Sequence, residues 1–177
     1  MDLTKKDRVI LINQYRILAA LNPDESDHYK ELISILENGY NIFYSKVDEW
    51  ISDDMSSSAG KFVLNVLGLY RAIEDFKRTS TGDSFSKEYF RFFRGFDGNN
   101  ETEYLSFTRF LIETQGKFSE QRAYLKENDN LNSHMPTATK YKGMLNKWMS
   151  FNESYTLTEA QVLEILKADR DETHRDG

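Results

Sequence analysis

The residues with the most chemical potential gather in one stretch, Phe90–Leu111, which reads FRFFRGFDGNNETEYLSFTRFL. Arg91, Arg94 and Arg109 stand among aromatic rings, and a Gly-Phe-Asp-Gly-Asn-Asn turn leads into an amphipathic helix. A helix N-terminus favours anions, and guanidinium groups grip carboxylates and phosphates. Arg94, Asp97, Tyr104 and Arg109 are therefore the candidate ligand-binding set, with a small anionic ligand as the expected occupant. Arginines interleaved with rings also suit single-stranded nucleic acid, whose bases stack on aromatic faces. A plainer assignment competes with both. The rings fill a core, the arginines cover them or pair with Asp97 and Glu103, Gly95 and Gly98 make the turn, and Asn100 with Glu103 forms a capping-box-like pair.

Other chemistries lack their residues. The chain has no cysteine, which removes disulfides, thiolate metal sites and cysteine nucleophiles and fits a reducing compartment. His28, His134 and His174 lie far apart and belong to no HExxH pattern. Asp97-Gly98-Asn99-Asn100-Glu101 lacks the alternating oxygen ligands and the distal Glu of a calcium loop. No nucleophile elbow, dinucleotide fingerprint or phosphate loop is present. Asp53 and Asp54 are sequence neighbours, and neighbours do not face each other on a helix. No catalytic residue, metal or cofactor is expected. The net charge of −6 opposes nucleic acid and anionic lipid. The lysine face of Lys140, Lys142 and Lys147 is a solvated surface or, alternatively, a site for an anionic partner. No apolar run reaches the ~18–20 residues of a membrane span, and the N-terminus does not read as a secretory signal.

The elements that would position these residues are helices. Aromatics are 14% of the 177 residues, enough to fill a core although apolar residues are only 39%. Two prolines and nine glycines leave room for long helices. The first helix runs from about Thr4, a cap with Asp7 as its acidic partner, to Leu21. Ile10, Leu11, Tyr15, Leu18 and Leu21 share a side flanked by Ile12 and Ile17, an apolar arc of roughly 200°. So wide an arc implies burial on several sides or packing on another subunit. Gln14 falls in the middle of the arc as a candidate buried polar residue. A second helix spans about Glu25–Asn38 and stops at Gly39. Residues 40–51 suit a short helix or an extended arm. Further helices are expected at Ser56–Arg78, Asn100–Gln115, a short piece in 119–127, one opened by Met135-Pro136-Thr137 and running to about Phe151, and Glu159–Ala168. Thr158 with Gln161 caps the last of these, and Leu157 with Val162 forms a staple. Thr79–Ser84 is the best linker, and 169–177 is expected to be a flexible charged tail.

Three blocks, taken in order, carry a family resemblance. They are LTKKDRVILINQY with NPDES and YKELISILENGY; FRGFDGNNETEYLSFTRFLIETQGKF; and MPTATKYKGMLNKWMSF with YTLTEAQVLEIL. The chain resembles the bacterial YfbU family over nearly its whole length, with residues 44–60 matching poorly. The resemblance implies an all-helical fold and self-association in the cytoplasm. It brings no activity, cofactor or catalytic residue.

The expectation is a single compact all-α domain over residues 1–168 with about six to eight helices. The expected role is that of a cytoplasmic, non-enzymatic interaction protein that forms homo-oligomers, whose protein partner the sequence does not name. A ligand binder or enzyme built on the Arg94/Asp97 turn is the alternative. Association with nucleic acid is a further one, opposed by the net charge.

Overall fold

Thr4 opens the first helix as the sequence predicts. Its hydroxyl accepts from the Asp7 amide while the Asp7 carboxylate accepts from the Thr4 amide, a complete capping box. The structure, a computed structural model, describes residues 2–80 and 85–168. The described residues form six α-helices joined by 3₁₀ turns, with no strand beyond one isolated bridge, so the fold is all-α. No described helix is long and apolar enough to cross a membrane. The chain divides into two compact units, Met1–Asp54 and Met55–Gly177. The linker expected at Thr79–Ser84 begins where the third helix ends at Thr79, and 81–84 lie outside the described residues. So does the tail expected at 169–177.

The first unit holds α1 (Lys5–Leu21), α2 (Ser26–Asn38) and a 3₁₀ segment, Asn41–Val47, which resolves the ambiguity of residues 40–51 in favour of helix. Pro23 starts a single 3₁₀ turn between α1 and α2, where its missing N–H is not needed. Ile12, Leu32, Ile35, Leu36, Tyr44 and Val47 make a small core. Gly39 ends α2 at φ +68°, a left-handed cap that glycine adopts without strain. Arg8 crosses from α1 and donates to the Leu36 carbonyl at 2.8 Å, satisfying one of the last α2 acceptors.

The second unit is built around α3 (Ser57–Thr79), opened by the Ser56 hydroxyl accepting from the Ala59 amide. Val66, Leu67, Leu69, Tyr70, Ala72 and Ile73 are all fully buried. Apolar residues on every side of a helix make it the core element rather than a surface one. Around it stand α4 (Thr102–Arg109), α5 (Ala138–Ser150) and α6 (Glu159–Lys167). A π turn, Phe110–Thr114, prolongs α4 and directs Leu111 and Ile112 into the core. The Thr158/Gln161 capping box of α6 is present, and Leu157 and Val162 are both buried behind it. Tyr70, Phe93, Phe96 and Tyr141 form the ring cluster at the centre, with centroids 5.2–5.8 Å apart.

Candidate functional site

The Gly95–Asn100 turn is a structural junction. Gly95 sits at φ +79°, and a Cβ there would lie 1.7 Å from the Leu131 carbonyl oxygen. That close approach lets the Phe96 amide donate to Leu131 and the Phe96 carbonyl accept from Ser133. The Gly95 carbonyl accepts from the Thr137 hydroxyl at 2.9 Å and the Tyr141 hydroxyl at 3.1 Å. Burial pushes the Tyr141 hydroxyl pKa well up, so it remains a donor throughout the accessible pH range.

Asp97 is buried, and its carboxylate accepts from the Asn100 side chain and from the Asn99 amide at 3.1 Å. The Asn100 side chain, then the Asn99 amide, hold its pKa below the ordinary carboxylate value. Asn100 is thus spent on Asp97, and the expected Asn100/Glu103 cap is not formed; α4 begins at Thr102 with no side-chain cap. The carboxylate that sequence reasoning missed is Glu101. It accepts from the Asp97 amide at 3.0 Å, the Thr137 amide at 3.0 Å, the Thr137 hydroxyl at 3.1 Å and the Ala138 amide at 2.8 Å. Glu101 therefore caps α5 from 36 residues away, a partner that local spacing could not reveal.

The other members of the candidate set have separate partners. Arg94 donates through Nε to the Tyr89 carbonyl at 2.9 Å and lies 4.2 Å above the Tyr89 ring. Among the described residues no ion pair joins it to Asp97. Arg109 donates to the Asn130 carbonyl at 2.8 Å. Tyr104 packs on Phe62 and Phe96 and lines a cavity of ≈280 Å³ with Ser56, Ser58 and Lys142. Of the lysine face, Lys140 donates to the Ala168 carbonyl and Lys147 pairs with Glu164, both across to α6 or its end.

The least satisfied surface is on α1. Its wide apolar arc is split. Leu11, Ile12, Tyr15 and Leu18 turn toward α2, whereas Val9, Ile10, Ile17 and Leu21 stand 57, 48, 60 and 71% exposed. Gln14 is exposed as well, a correction to its expected burial. The α1–α2 contact takes one side of the helix, and Gln14 lies on the other, within about 60° of Ile10, Ile17 and Leu21 at 100° per residue. A fully buried amide does exist, at Gln121, where neither side-chain atom has a hydrogen-bond partner. Nine large apolar side chains are well exposed in the 54-residue first unit, against six in the described part of the larger second unit, so unmatched apolar surface is concentrated on the first.

A YfbU domain model matches residues 1–168. The UPF0304 protein MJECS11 of Methanocaldococcus jannaschii is 43% identical over 169 residues, a match covering 94% of this chain and 99% of that protein. That relative is archaeal, so the likeness extends beyond bacteria.

Proposed function

The chain belongs to the YfbU family, and from that premise we propose that it is a cytoplasmic, non-enzymatic interaction protein that self-associates through the outer face of α1. One observation carries the reading: Ile10, Ile17 and Leu21 form an exposed stripe with Gln14 set among them. The spacing from 10 through 14 and 17 to 21 alternates four and three, the seam spacing of paired helices. A single polar residue in such a seam fixes register. Gln14 suits a two-fold mate because its amide carries both donor and acceptor, so two copies facing across an axis satisfy each other. The absence of cysteine fits a reducing compartment.

Light scattering on the purified protein at tens of micromolar tests this. An oligomer is expected, and Ile17→Asp is expected to convert it to a monomer that keeps its helical content by circular dichroism, since Ile17 is 60% exposed within the chain; its unfolding midpoint falls to the parent's value at high dilution. A wild-type monomer at that concentration overturns the reading. The alternative at the Arg94/Asp97 turn is not favoured, because both side chains are already engaged with the polypeptide.

A further inference from the structure

A cavity of ≈730 Å³ lies within the first unit between α1, α2 and the segment after Val47. Its lining combines aromatic rings and carboxylates with Lys46 and His28. Tyr15, Tyr29 and Trp50 supply three aromatic rings, and Asp24, Glu25 and Glu49 supply three carboxylates. Leu18 and Leu32 contribute apolar wall. We propose that this groove binds a free organic cation of the alkylammonium class, its charge held by the rings and carboxylates and its aliphatic body resting on the leucines.

Three features argue for this occupant. First, aromatic surface lines the groove. Tyr15 and Tyr29 stack with centroids 6.0 Å apart, and Trp50 is 79% exposed, an indole left out of the core. Aromatic faces attract cations, and indole does so best. Second, the field is negative. Lys46 pairs with Glu31 at 2.5 Å and also interacts with Glu49, so Asp24, Glu25 and Glu49 face one lysine that is already paired, with His28 beside them. An anion would be repelled, and a neutral apolar ligand would have to bury carboxylates without a partner. Third, one carboxylate is fixed. The Tyr29 hydroxyl donates to Glu25 at 2.7 Å, which positions that exposed carboxylate beside the ring.

Fluorescence gives a direct test. The chain has two tryptophans; Trp148 is 3% exposed, so a ligand in the groove reports through Trp50. Spermidine added to the full chain is expected to change the emission saturably, beyond the effect of sodium chloride at matched ionic strength. By calorimetry, Trp50→Leu and the combination Glu25→Gln with Glu49→Gln are each expected to weaken spermidine binding about tenfold. Glutarate is expected not to bind. No saturable response, or the same affinity in both variants, overturns the proposal. Dissociation of the oligomer by spermidine would show that a second copy fills the groove instead, and would equally overturn it. Binding that persists in the Ile17→Asp variant separates this site from the self-association face.

Discussion

Glu101 concentrates more hydrogen bonding than any other side chain near the turn, because one carboxylate serves the Asp97, Thr137 and Ala138 amides together with the Thr137 hydroxyl. Removing it leaves the buried Asp97 and Thr137 amides with no acceptor, which costs the desolvation of each, while the Thr137 hydroxyl still has the Gly95 carbonyl. Glu101→Ala should lower stability by about 2–4 kcal/mol in chemical denaturation, and Glu101→Gln by less, since one oxygen survives. Asp97 makes a pH-dependent contribution. Its folded pKa is lowered by Asn100 and the Asn99 amide, so the stability it adds is complete above the ordinary value of 3.8 and is lost as pH falls through the lowered one. Denaturation midpoints from pH 6 down to 2 should therefore fall less steeply in Asp97→Asn than in the parent; equal slopes would assign the acid sensitivity elsewhere. Asp97 was legible in the sequence as a special residue. Its partners were legible in part, since Asn99 and Asn100 are its neighbours, but Glu101's reach to Thr137 is a contact across 36 residues that no local spacing encodes.

At the scale of elements, helix boundaries followed their caps. Thr4, Ser56 and Thr158 each start a helix by accepting from the amide three residues on, a motif written in four consecutive letters. The turn between the third and fourth helices depends instead on a close approach. At Gly95, both the positive φ and the Leu131 carbonyl at 1.7 Å from a built Cβ exclude any side chain. Gly95→Ala should cost about 2–3 kcal/mol or prevent folding, read by thermal melting; a melting point equal to the parent's would show that the 131–133 segment shifts freely. Sequence periodicity measured the apolar arc of α1 but not its division. A 3.6-residue repeat reports which residues share a side, not how many neighbours that side meets. That is why Gln14 was expected inside and is found outside.

For the whole molecule, the two units differ in how much core each holds. Among the described residues, six buried apolar side chains cluster in the first and twenty-three in the second. Local opening is cheapest where few apolar contacts must break, so amides of α2 near Leu32–Leu36 should exchange about a hundredfold faster than those of α3 near Val66–Ile73. Equal protection would mean that the units open as one. What the sequence determined by itself was the helical class, the capped helix starts, the aromatic filling and the family, because these rest on composition, on contiguous motifs and on matching order along the chain. What only the tertiary structure decided was which groups meet. It assigned Glu101 to a distant helix and Arg94 to the Tyr89 ring and carbonyl, left half of the α1 arc exposed, and brought Tyr15, Tyr29 and Trp50 around one groove. Such meetings are set by how helices pack, and packing depends on contacts distant in sequence that no single stretch of residues specifies.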